Sequence, residues 1–500
     1  MFETLLKTAI IGTANGAQVP EIDSNEIALS DNISGEEKLL LAAAFFAIQQ
    51  KASYQAATYD KDFPAACPEE TQPYAALSVC ELILRSMSKE QEDSIVVQEI
   101  LEKIVNKKRL VLPQVLPQLL GYGQNKPNLQ ALIAKVCGER GRWLVRYNTS
   151  WKYAAALGNE TTDWDTGTHE DRLAYFSFLH KNKPADAIAL LQQDWGTESL
   201  SHKKDFVAIM ATQAQAEDEV MLEAVLQQEK EAGLRSKIAE VLIQIPHSAL
   251  LSRIEKPVFD CIKLKSGFLS MEKLNLTFPT VLDISLQKDG FLPVKAGHEN
   301  GKQGIFAQLL SLFPPSLLAQ SFKKTPEELL ILAAKTQVHE EVLIACWEKA
   351  ASLHKDAVWL SALIFAKMEK KVITPELKRM QHLLSAEEYG KVAEKVAKKV
   401  KDKPLLFFLA NREQTWGEVE TKIALAEMEN AVRKYANARP WDCSDLKDLA
   451  KTVSIYVPAA HLKPFSDILH QLSVNKDWEK ELKSCVNRID LRIQIAVILS

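Results

Sequence analysis

Apolar positions between residues 168 and 246 return with a period of about 31 residues. Residues 170–179 align with 201–210 and again with 233–242. Each copy sets a base (Arg172, Lys203, Arg235) ahead of one bulky stripe: Tyr175/Phe206/Ile238, Phe178/Ile209/Val241 and Leu179/Met210/Leu242. Three- and four-residue spacing puts such side chains on one helix face. A period of this length predicts stacked helix pairs, because one pair alone leaves its apolar face in water. The predicted pairs are 168–181 with 184–193, 198–213 with 217–228, and 232–245 with 248–254.

Helical spacing recurs in Leu39, Leu40, Ala43, Ala47 and Ile48, and in Ile95, Val97, Ile100, Leu101, Ile104 and Val105. Helix starts are legible. Thr325-Pro326-Glu327-Glu328 joins an N-cap hydroxyl, a first-position proline and a third-position acid. Thr374-Pro375-Glu376 repeats the first two of these, and Thr168-His169-Glu170-Asp171 opens the first repeat. Capping boxes are predicted at Ser34/Glu37, Ser88/Gln91, Ser385/Glu388 and Thr415/Glu418. No strand-like alternation precedes residue 256. Lys288-Asp289-Gly290, Gly297, Gly301, Gly304 and Pro314-Pro315 then predict a loop-rich connection with a helix near 303–313. Later helices are expected at 326–336, 339–351, 355–368, 375–384, 386–400, 417–437 and 479–499. The expected fold is all-α: an α-solenoid with a loop-rich interruption near 256–324. Its regions are 1–160 (N-terminal, helical, with an irregular acidic loop at 59–73), 161–255 (repeats), 256–324 (connection) and 325–500 (C-terminal, helical).

Composition sharpens this picture. Glycine numbers 18 in 500, about half of the usual 7%, which favours helix because glycine weakens helix interiors. A net charge of −4 creates no global attraction to nucleic acid or acidic lipid. The seven cysteines are scattered, without a CxxC pair, so neither a disulfide framework nor a zinc ribbon is expected. Met1-Phe2-Glu3-Thr4-Leu5-Leu6-Lys7 is no secretory signal, and the apolar run 39–48 is too short to span a bilayer. A soluble, cytoplasmic protein is expected, with no membrane partner.

Motifs for chemistry give way to plainer readings. Asp163-Trp164-Asp165-Thr166-Gly167-Thr168 has the aspartates of a phosphatase motif but leads into a capped helix. Ile11-Gly12-Thr13-Ala14-Asn15-Gly16 lacks the glycines and lysine of a nucleotide loop and reads as a helix end. Trp143, Tyr147 and Trp151, at i, i+4 and i+8, predict one helix face flanked by Arg140, Arg142 and Arg146. That face is either a stacking platform for bases or a stripe packed between helices. Lys391, Lys395, Lys398, Lys399, Lys401 and Lys403 read as a solvated face, with a phosphate-contacting patch as the alternative. HExxH and Gly-x-Ser-x-Gly are absent, and no cofactor or metal site is expected.

The run Gly138-Glu139-Arg140-Gly141-Arg142-Trp143-Leu144, then Trp151, then Trp164-Asp165-Thr166-Gly167-Thr168 with Asp171-Arg172-Leu173, resembles an uncharacterised bacterial family of HEAT-like helical-repeat proteins. Asp194-Trp195, Glu217-Asp218-Glu219, Leu234-Arg235-Ser236-Lys237 and Ile245-Pro246-His247-Ser248-Ala249-Leu250 extend the resemblance. Phe313-Pro314-Pro315 and Arg488-Ile489-Asp490-Leu491-Arg492 are weaker echoes. The resemblance implies a HEAT-like α-solenoid and no catalytic residue. It also implies operons encoding a MoxR-type AAA+ ATPase, a von Willebrand A-domain protein and a SWIM zinc-finger protein.

The expected function is therefore a non-enzymatic scaffold or adaptor for a protein partner. Its candidate interaction surface is Arg140, Arg142, Arg146, Trp143, Trp151, Arg172, Lys203 and Arg235. The alternative is a nucleic-acid-binding HEAT-like protein. An enzyme with a spatially assembled site comes third.

Overall fold

The computed structural model describes residues 2–15, 33–52, 65–88, 92–154, 164–165, 167–265, 272–295, 297–298, 300–302, 304–435 and 440–498. Gly16, Gln91, Asp163, Thr166 and residues 59–64 of the 59–73 loop lie outside them. The chain divides into two units, Met1–Cys67 and Pro68–Ser500.

In the first unit, α1 (Phe2–Ile11) packs on α2 (Gly35–Ala52). Gly12 ends α1 at φ 86°, its N–H donating to the Thr8 carbonyl at 2.9 Å, as expected of a helix C-terminus. Ser34 and Glu37 form their capping box, at 3.0 and 3.2 Å.

The second unit starts with α3 (Leu77–Met87), α4 (Ser94–Asn106), α5 (Leu116–Gly123), α6 (Pro127–Val136) and α7 (Gly138–Val145). They share a core containing Val79, Ile83, Ile100, Leu119 and Ile133, which Leu491 and Ile495 complete. The Ser88 box is corrected here. Ser88 closes α3, its hydroxyl donating to the Arg85 carbonyl at 2.8 Å, and Asp93 caps α4.

Over the stretch read as repeats the helices are α8 (His169–Asn182), α9 (Pro184–Asp194), α10 (Leu200–Thr212), α11 (Asp218–Gln228), α12 (Ala232–Leu242) and α13 (Ala249–Cys261). α8 packs on α9 and α10, α9 on α11, α10 and α11 on α12, and α12 on α13. Thr168 and Asp171 form a capping box at the head of α8. Phe206, Met210, Ile238, Val241 and Leu242 are buried, as the stripe requires. Phe178 departs from it, at 57% exposed. The buried residues of α8 are Phe176 and His180 instead.

The glycine-rich stretch holds more structure than a loop. α13 continues through Pro257, then β1 (Ile262–Lys265) pairs antiparallel with β2 (Lys273–Leu276), Ile262 opposite Leu276. α14 (Ile284–Lys288), α15 (Ile305–Leu312) and α16 (Pro315–Phe322) follow, α15 falling within the helix expected near 303–313.

The remaining helices are α17 (Pro326–Ala334), α18 (Glu340–Leu353), α19 (Ala357–Glu369), α20 (Pro375–Leu383), α21 (Ala386–Lys399), α22 (Lys403–Ala410), α23 (Glu418–Tyr435), α24 (Ser444–Tyr456), α25 (Leu462–Leu472) and α26 (Lys476–Ile498). Beside contacts between consecutive helices such as α18 with α19 and α25 with α26, many helices pack on the next but one: α17 on α19, α19 on α21, α21 on α23, α23 on α25, and likewise α18 on α20, α22 on α24, α24 on α26. Thr325/Glu328 and Ser385/Glu388 form their boxes. Thr374 precedes Pro375 without a side-chain cap bond. At α23 the expected box shifts: Glu420 accepts from the Gly417 N–H at 2.5 Å, two residues beyond the Thr415/Glu418 prediction. Among the described residues, no single helix is long and apolar enough to cross a membrane.

Candidate functional site

α7 carries the aromatic–basic segment. Gly138 enters it at φ 63°, and the Glu70 carboxylate accepts from the Glu139 and Arg140 N–H groups, both at 2.9 Å. The positive end of this helix thus already holds an anion from its own chain. Arg142 is paired with Glu139, a bond that raises the arginine's pKa and lowers the carboxylate's. Arg140 and Arg146 are exposed. The expected aromatic face does not form, because α7 stops at Val145 and Trp151 lies in a separate 3₁₀ segment, Thr149–Ala154. Trp143 meets Tyr147, ring centroids 5.0 Å apart, while Trp151 packs on the α3–α6 core.

Of the three periodically spaced bases, Arg172 and Lys203 lie on tryptophan rings and Arg235 does not. The Arg172 guanidinium lies 4.2 Å from the Trp164 ring centroid and reaches Asp194 at 3.1 Å and Glu198 at 2.6 Å. Trp164 also donates its indole N–H to Asp194 at 2.6 Å. One period later, Lys203 stands 5.4 Å from the Trp195 ring. The third copy lacks the tryptophan, and the Nε of Arg235 is buried without a hydrogen-bond acceptor. Beside Arg172, His169 and His202 stack at 3.6 Å, held by Asp205 and Glu198 respectively at 3.0 Å each. These contacts are internal, so Arg172 is engaged within the fold.

On the lysine-rich helix α21, Lys391 and Lys398 pair with Glu387 and Glu394 at 2.6 and 2.9 Å. This is the solvated, self-compensated face of an amphipathic helix.

A hollow lies elsewhere among the described residues. Two adjoining depressions of about 350 and 270 Å³ share Phe407 and Asn411. One side is Ile373, Leu377 and Lys378, at and just before α20; the other is Asp445, Asp448, Lys451 and Tyr456 of α24. α22 supplies Phe407 between them, an apolar floor beneath a charged rim. Lys378 and Glu413 bridge the rim at 2.6 Å. Thr452 donates to the Ala410 carbonyl at 2.6 Å, fixing α24 to the end of α22. Burial raises the pKa of Asp445, with Asp448 adding to it and Lys403 opposing it. Burial first and Glu413 second raise that of Tyr456. Such a surface suits recognition of a side chain with an apolar body and a polar end. Sequence reading missed it, since its residues are dispersed from 373 to 456 and form no motif. Among the described residues, no three His, Cys, Asp or Glu side chains gather as metal ligands.

Compared with known proteins, residues 4–498 match a family model described as a family of unknown function, DUF5691. No curated protein and no solved structure matches the chain.

Proposed function

We propose that this chain, which belongs to the family of unknown function DUF5691, is a non-enzymatic HEAT-like α-solenoid that binds a protein partner across α20, α22 and α24. The supporting observation is the packing of helices on the next but one, through α8–α12 and again, except between α20 and α22, through α17–α26. Residues at α20, α22 and α24 jointly line the hollow. Helical repeats present multi-point surfaces of this kind to extended partners. The proposed partner class is a component of a MoxR-type ATPase system, in line with the operon resemblance. Photo-crosslinkers at Lys378, Lys451 and, as a control, Lys391 test it in the native bacterium. The reading expects one protein to be captured from the first two positions and not the third. Equal capture at all three, or at none, rejects the groove as the binding surface. A nucleic-acid role has weaker support, because Arg142, Lys391 and Lys398 are already neutralised by acids of their own helices; salt-dependent retention on DNA or RNA tests that alternative.

A further inference from the structure

Residues 39–48 of α2 are apolar without interruption, so their side chains point all round the helix. A helix of this kind is stable in water only when covered on every side. α1 covers one side, and Ala42 is the buried residue of α2. Leu40 is 70% and Ile48 66% exposed, while Leu6 and Ile10, one turn apart on α1, are 51% and 77% exposed.

We infer that α1 and α2 form a self-association module, in which the α2 helix of a second copy of this chain lies antiparallel against the first. The sequence of α2 is complementary to itself in that orientation. A two-fold axis through Ala44 sets Leu40 opposite Ile48, and at the rims sets Glu37 opposite Lys51. Residues 37, 40, 44, 48 and 51 follow helical three- and four-residue steps, so contacts and charges share one face. Ala44 and Ala47 are small enough for the two backbones to approach closely. The antiparallel helix dipoles add to the attraction. The contact is isologous, each copy giving and receiving the same surface, so it closes at two chains. Two copies of α1 and α2 make a four-helix arrangement that covers the exposed leucines and isoleucines.

Sedimentation equilibrium of the full-length protein at 1–50 µM is the test, with helicity checked by circular dichroism. The wild type is expected at twice 56.0 kDa, and Leu40→Glu at the monomer mass. Glu37→Lys and Lys51→Glu, each placing like charges together, should weaken the dimer at least tenfold, and combining them should restore it. A wild-type monomer throughout this range overturns the inference. So does a dimer indifferent to Leu40→Glu, or a double variant no tighter than the single ones.

Discussion

Arg488 donates through Nε to the Asp93 carboxylate at 2.6 Å, across 395 residues of sequence. One turn further along α26, Arg492 makes the same bond to Glu99 at 2.5 Å and donates to the Ser454 carbonyl at 2.9 Å. The two arginines hold α4 and α24 to one helix. Asp93 is committed twice, since its other oxygen caps α4.

Replacing Arg488 by Met therefore strands a carboxylate whose side chain is only 12% exposed. The expected loss is about 3 kcal/mol, read as faster amide exchange in α3, α4 and α26 together. Lys463→Met removes an exposed pair with Asp467 and should leave the same exchange rates unchanged, because water screens that pair. Equal effects from the two would show that the buried clamp contributes nothing special.

Gly290 offers a sharper contrast. It sits at φ 90°, and a Cβ there would come within 2.6 Å of the Arg235 carbonyl oxygen on α12. Gly290→Ala combines backbone strain with a clash against main chain, an expected cost of about 3 kcal/mol. Gly297 has a similar φ of 86° and nothing within 4 Å, so Gly297→Ala should cost about 1 kcal/mol. Thermal unfolding of the two variants checks the ranking.

Arg172→Lys keeps the charge but loses the planar fork that lies on Trp164 and reaches two acids. It should recover less than half of the stability lost in Arg172→Ala, itself about 2 kcal/mol. Lys203→Ala, with a single cation–ring contact, should lose about 0.5 kcal/mol. Urea denaturation ranks the three. A full rescue by lysine would mean that charge alone matters at this position.

Burial lowers the pKa of His354 below its ordinary 6.5, against the opposing effect of its bond to the Leu312 carbonyl. The unfolded chain then takes up a proton that the folded one resists, so stability falls as pH drops through 6.5. One such group contributes at most about 1.4 kcal/mol per pH unit. His354→Gln keeps a donor for Leu312 and should flatten the melting temperature between pH 7 and pH 5. An unchanged slope would assign the acid sensitivity to other groups.

Helix starts were the most readable feature, because Ser34, Thr168, Thr325 and Ser385 cap through short-range chemistry that the local sequence fixes. Ser88 and Thr415 had the same letters but a better-placed acid or glycine nearby took the role. α22 went unpredicted since Leu405-Leu406-Phe407-Phe408-Leu409 is apolar on every side and shows no helical period. The β1–β2 hairpin was missed because each strand is four residues long. The groove depended on α22 and α24, so it could not emerge before their packing was known. The Trp164/Arg172 and Trp195/Lys203 pairs were visible as letters one period apart, while their contact was not.

Leu491 and Ile495 finish the hydrophobic interior begun by Val79 and Ile83. During translation, that interior must wait, partly open to water, while more than three hundred intervening residues leave the ribosome. Such long-range closure slows folding and leaves the apolar faces of the early helices open to association until the last helix arrives.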